Sequence, residues 1–182
     1  MLGFIRRNTT ELSDITALRT LYLTLVRPTL LYASIIWSPY YEVYSKNLEK
    51  IQHKFLNHAA WKLKLPSPRI SHNYNDIAIN LDISSLQSHR IYNDHLFIFK
   101  LLTNELESSE LLSRVNWKIA ICNTRISERT TFAIPTARTN LGMNAPMTRM
   151  FTLANNSHID MSNLTLLKFI NSSKLLYLND YR

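Results

Sequence analysis

Apolar residues in the first third of the chain recur with the spacing of helices rather than strands. Leu18, Leu21, Tyr22, Leu25, Val26, Leu30, Ile35 and Ile36 fall in one stretch. At about 100° per residue they point almost all round, which is the pattern of a helix covered on most sides. Ser13 and Asp14 offer N-cap oxygens before it and Ser38-Pro39 ends it, so the spacing predicts a helix over about 13–37. Pro28 lies inside that range, and its missing N–H and its ring should kink or split the helix near Arg27. A second helix, about 41–65, carries Leu48, Ile51, Phe55 and Ala59 on one face. Lys46, Lys50, Lys54, Trp61 and Lys64 cluster on roughly the opposite one. Pro66 and Pro68 close it.

A loop and a short helix near 76–81 follow. Ser84 or Ser85 then caps a third long helix to about 102, with Leu86, Arg90, Phe97 and Leu101 near one side. From Ser108 the periodicity weakens. The ranges 115–122 and 129–134 alternate enough for short strands, as in a hairpin, and 138–146 is irregular. Two terminal helices are expected near 146–155 and 162–176, the second capped by Ser162 and carrying Leu166, Leu167, Ile170 and Leu175. The chain therefore reads as mainly α. It has three long helices, a short irregular or β-hairpin region and two terminal helices, divided into a helical 1–106 and a partly irregular C-terminal extension, 107–182.

Composition narrows the chemistry. With 182 residues, 46% hydrophobic and 19% charged, the chain can build a core of ordinary size. Average usage would give about a dozen glycines; this chain has two, Gly3 and Gly142. That shortage excludes a Gly-rich phosphate loop, a dinucleotide fingerprint and a turn-rich β-sandwich. The single cysteine, Cys122, excludes a disulfide framework and a cysteine-based zinc site. It fits a reducing compartment, hence an intracellular protein of nucleus or cytoplasm. No signal-peptide pattern opens the chain, and the charge-free run 28–37 is far short of the ~20 residues of a membrane span.

Catalytic groups are not assembled in the sequence. Two-metal chemistry needs converging carboxylates, but no Asp-Asp or Asp-x-Asp occurs, and the cluster Glu105, Glu107 and Glu110 reads as a solvated helix end. His53 and His58, and His89 and His95, are not at the i, i+4 spacing of a helical zinc motif. Cys122 has no nearby histidine base, and no Gly-x-Ser-x-Gly elbow exists. The expectation is no catalytic residue, no metal, no cofactor and no enzymatic activity of this chain alone.

Charge gives the positive lead. The net charge is +8, and residues 1–70 hold ten basic side chains against four acidic. Such an excess points to nucleic acid first and an anionic membrane surface second. Lys46, Lys50, Lys54, Lys62, Lys64 and Arg69 would form a cationic stripe about 25–30 Å long at ~1.5 Å per residue. Neutralised phosphates release counterions, so a stripe of this kind binds without reading sequence. Trp61 within it could stack on a base or sugar. The plainer reading is an ordinary solvated helix face.

The order of several segments adds a family resemblance. LGFIRRN, then ALRTLYLTLVRPTLLYASIIWSPYY, then NLEKIQHKFLNHA resembles the segment following the polymerase palm in non-LTR retrotransposon reverse transcriptases of the jockey-like mobile-element type. Tyr74-Asn75-Asp76, Leu86 with Arg90, HLFIFKLLTNEL, RTNLGMNAPMTRM and IDMSNLTLLKFI match in the same order. The resemblance implies a transposable-element fragment: the thumb-like C-terminal part of an RNA-directed DNA polymerase, helical and set against the primer–template duplex. The palm with its Tyr-x-Asp-Asp turn would lie upstream of Met1, as would the fingers and any endonuclease. Partners implied are an RNA/DNA or DNA duplex, bound weakly and non-specifically, and the upstream polymerase domain; no membrane is implied. Duplex contact would fall to the basic residues of the second helix with Arg27 and Arg90, although Arg27 could instead be a buried anchor beside Pro28. Two positions depart from the family pattern: Leu31 stands where a glutamate is frequent, and His89-Arg90 where a pair of arginines is. The alternative is an inactive transposon relic or a helical protein-interaction module without nucleic-acid binding, with the apolar range 17–37 left exposed.

Overall fold

Residues 1–12, 14–66, 68, 74–118, 131–157 and 166–177 are described by the computed structural model. A short helix that periodicity does not predict, α1 (Leu2–Asn8), comes first and buries Ile5. Asp14 then accepts the Thr16 N–H at 2.8 Å and starts the first apolar stretch. That stretch is not one helix. It runs as α2 (Ile15–Leu21), a π-helical turn (Tyr22–Val26), α3 (Arg27–Leu31) and α4 (Ser34–Trp37).

Pro28 accounts for the first break. It cannot donate to the carbonyl one turn back, and its ring crowds that carbonyl. The backbone widens ahead of it, so that the Arg27 N–H reaches the Tyr22 oxygen, five residues back. The Thr29 hydroxyl donates to the Val26 oxygen at 2.6 Å, serving a carbonyl near the irregular turn. Ala33 makes the second break with a left-handed φ of 51°, a conformation costing a residue with a Cβ about 1 kcal/mol. Ile36, 71% exposed, and Leu25 are not covered, which corrects the expectation of a stretch buried on most sides.

The second helix, α5 (Glu42–Lys62), buries Phe55 and Ala59 on the anticipated face, with Leu48 and Ile51 half-buried. Lys64 adopts a left-handed φ of 55°, letting the Leu65 N–H reach the Ala60 oxygen at 3.0 Å and the Lys64 N–H reach Trp61 at 3.2 Å. This paired ending closes α5 without a glycine. Asp82 does the same for α6 (Asn75–Asn80), with the Ile83 N–H on the Ala78 oxygen at 2.9 Å. Arg19 of α2 donates to the Leu81 carbonyl and, at 3.1 Å, to the Asp82 carbonyl and carboxylate, so one guanidinium fastens two elements.

The chain divides into two compact units, one of 1–34 with 39–89 and one of 35–38 with 90–177. The boundary lies at 89/90, within α7 (Leu86–Leu102), and does not coincide with the division at 106 read from the sequence. Ser85 caps α7, accepting the Ser88 N–H at 3.0 Å. In the first unit Tyr22 stacks on Phe55 with centroids 4.0 Å apart, surrounded by Leu18, Val26, Leu56, Ile77 and Ile83. A burial of this kind contributes roughly 1.5–3 kcal/mol per large side chain. The Tyr22 hydroxyl donates to Gln52 Oε1 at 2.9 Å and Gln52 Nε2 to the Ser84 oxygen at 3.1 Å, so the buried polar atoms of Tyr22 and Gln52 are served.

The second unit gathers Ile98, Leu101, Val115, Phe132, Met150 and Phe151. Its further helices are α8 (Ser109–Ser113), α9 (Asn140–Met143), α10 (Pro146–Asn156) and α11 (Leu166–Tyr177). The expected hairpin is represented among the described residues by one antiparallel bridge, Trp117 to Phe132. Asn155 of α10 holds it, accepting the Thr131 and Phe132 N–H groups at 3.0 Å and donating to the Phe132 oxygen at 2.9 Å. Residues 119–130, with Cys122, lie outside the described residues, as does the Ser162 cap. In α11 the buried positions are Phe169, stacked on Phe99 at 4.1 Å, and Ser173. Leu167, 74% exposed, and Leu175 lie off that face, correcting the predicted apolar set. Asp94 is buried and accepts from Nε and Nη2 of Arg149 at 2.9 and 3.2 Å, while Arg149 also donates to the Ile35 oxygen at 2.6 Å. The architecture of the described residues is mainly α, as the periodicity predicts.

Candidate nucleic-acid interface

Lys46, Lys50 and Lys54 recur every fourth residue on α5, and all three are exposed. They cover about 12 Å of helix at ~1.5 Å per residue. Lys46 meets Glu42 at 2.9 Å and Lys50 donates to Asn47 Oδ1 at 2.9 Å. Exposed contacts of this kind contribute ~0–1 kcal/mol and yield readily to a phosphate. Lys64 is exposed just past the helix end, and Trp61 is 66% exposed. Arg69 lies outside the described residues.

The other basic residues expected to touch nucleic acid are turned to the fold. Lys62 donates to the carbonyl oxygens of Thr9, Thr10 and Leu12 at 2.6, 2.7 and 2.8 Å. An ammonium has three N–H donors, so this cation is spent on the backbone. Arg27 is buried and donates to the Ser84 carbonyl at 3.0 Å and the Ser84 hydroxyl at 2.8 Å, with His89 Nδ1 at 3.2 Å. It occupies the buried-anchor position beside Pro28. Burial, and then the Arg27 charge, push the His89 ring down to about 4. The neutral imidazole can therefore accept from the guanidinium, which has no acceptor of its own. Arg90 is buried as well.

α1 brings two residues that the sequence reading did not single out. Arg6 and Arg7, both exposed, line an open groove of about 970 Å³ together with Lys54, Asn57 and Trp61. The Lys62 clamp holds the chain just after α1 against α5, and Thr9 Oγ1 sits 3.4 Å from His58 Nε2. His58 registers the groove's charge: burial lowers its pKa first, and the Arg6 and Lys62 cations lower it further. The pair Arg6-Arg7 in a basic N-terminal half was a legible signal of charge. Nothing in a seven-residue segment with one buried side chain gave it a place.

Among the described residues no group of three His, Cys, Asp or Glu side chains is arranged to hold a metal, and no helix is long and apolar enough to cross a membrane. Glu105, Glu107 and Glu110 are all exposed, with Glu110 paired to Arg114 at 3.0 Å. Comparison with protein-family models, with curated proteins and with solved structures gives no match.

Proposed function

We propose that this chain is a thumb-like, C-terminal fragment of a retrotransposon RNA-directed DNA polymerase that binds RNA/DNA duplex without reading its sequence and has no polymerase activity of its own. The family part of the reading rests on the colinear segments from LGFIRRN to IDMSNLTLLKFI. The binding part is carried by one observation: Lys46, Lys50 and Lys54 stand exposed in a row on a single helix, and the contacts of Lys46 to Glu42 and Lys50 to Asn47 are themselves exposed. A rigid helix presents such cations at fixed spacing, and each phosphate they neutralise releases counterions. Contacts to phosphate carry no sequence information, so affinity held by them depends on backbone charge.

The test is the salt dependence of binding to a blunt RNA–DNA hybrid, followed by fluorescence anisotropy. The expected slope of log K against log salt lies between about −2 and −4, near 0.9 per phosphate contacted. Hybrids of unrelated sequence should bind alike. A salt-independent affinity, or none, contradicts the proposal. A second reading, a helical protein-interaction module, draws on the exposure of Tyr32 (80%) and Ile36. Large exposed apolar side chains favour association. That reading predicts concentration-dependent self-association in size-exclusion chromatography, and a clean monomer over a wide concentration range counts against it.

A further inference from the structure

Arg6 and Arg7 are not part of the lysine row, yet the fold delivers them to its end. Lys62 ties the segment after α1 to α5, and the two guanidinium groups then line the same groove as Lys54 and Trp61. Among the described residues none of these three cations forms an ion pair. Trp61, the largest side-chain type, is left two-thirds exposed at the same groove. A tryptophan is usually more covered than this. Adding a Cβ to Gly3, which also borders the groove, would meet nothing within 4 Å.

We infer that this groove takes the unpaired part of a nucleic acid: a single strand whose phosphates rest on Arg6, Arg7 and Lys54 and one of whose bases stacks on Trp61. The inference rests on the nucleic-acid reading above and adds to it the kind of strand. Duplex bases are stacked on one another and are closed to an indole, whereas an unpaired base offers a free π-face. Guanidinium groups grip phosphate through paired N–H donors, a geometry the row of lysines lacks. Lys54 and Trp61 are about 10 Å apart along the helix at ~1.5 Å per residue. That exceeds the ~3.4 Å between successive stacked nucleotides of one strand. The volume of about 970 Å³ is likewise at the top of the ordinary range for a small-ligand site, roughly 300–1,000 Å³. Both dimensions suit a run of nucleotides better than one.

The experiment titrates the full chain with oligothymidylate, with a blunt RNA–DNA hybrid and with free thymidine monophosphate, following tryptophan fluorescence and anisotropy. Oligothymidylate should quench a component of the emission that is missing in Trp61→Phe. Trp61→Ala, and separately Arg6→Gln with Arg7→Gln, should weaken its binding about tenfold, the loss of one stacked base or two phosphate grips. The arginine variant should leave hybrid affinity within about twofold. All replaced side chains are exposed, and circular dichroism unchanged from the parent verifies the fold. If the hybrid binds but oligothymidylate leaves Trp61 unquenched, or if the arginine variant weakens both ligands equally, the inference fails while the duplex reading survives. If the monophosphate quenches as well as the oligomer at equal nucleotide concentration, the groove is a mononucleotide pocket and the strand is refuted. If neither polymer binds, both readings fall together.

Discussion

A proton on His89 would set a second positive charge 3.2 Å from the Arg27 guanidinium, in a site that burial has already made unfavourable to charge. The folded chain therefore holds the ring near 4, below its ordinary 6.5, and the unfolded chain binds the proton more readily. The sign follows: the contribution of a neutral His89 is complete above about pH 6.5 and is lost as the pH falls towards 4. Between pH 7 and pH 5 this residue should remove about 2 kcal/mol of stability. Urea unfolding at the two pH values measures it, and His89→Gln should flatten the dependence by that amount. His53, His58 and His95, each lowered first by burial, leave a residual slope of the same sign. The sequence placed His89 beside Arg90 and on one helix with His95, but its partner Arg27 lies far off in the chain. The pairing is a property of the tertiary fold, which spacing cannot express.

Among the elements, α5 was the most legible. Leu48, Ile51, Phe55 and Ala59 share one face, so period gave its buried side, and the prolines beyond it gave its end to within a few residues. The first apolar stretch was legible as helical and as broken near Arg27, because a proline inside a helix removes a donor and crowds a carbonyl. The second break, at Ala33, was not legible, since neither proline nor glycine marks that left-handed residue. Lys62 illustrates a different gap. Pattern assigned it to the cationic stripe, while its partners are three backbone carbonyls, groups that carry no side-chain signature. Replacing Lys62 by Ala should cost about 1–3 kcal/mol, the range for charge-assisted hydrogen bonds. Replacing Lys46 by Ala should change stability by less than about 0.5 kcal/mol, as an exposed position does. Chemical unfolding of the two variants separates a clamp from an exposed cation, and equal losses would contradict the assignment. Because Lys62 positions the segment after α1, its loss should also weaken contacts made by Arg6 and Arg7.

At the scale of the molecule, the helical class was legible because helix-period patterns and a near-absence of glycine agree. The division into units was not. It falls within a continuous helix, where no proline or glycine marks it. The candidate interface was half legible: Lys46, Lys50 and Lys54 were found by spacing, while Arg6 and Arg7 needed α1 to be seen. The account's central claim is that this row holds a nucleic-acid backbone through charge. Anisotropy of a labelled RNA–DNA hybrid over a range of salt, for the parent chain and for Lys46→Glu with Lys50→Glu, tests it most directly. The account predicts a parent slope between about −2 and −4, and a variant that binds at least tenfold more weakly with a slope shallower by about 2. An unchanged affinity or an unchanged slope in the variant would contradict it.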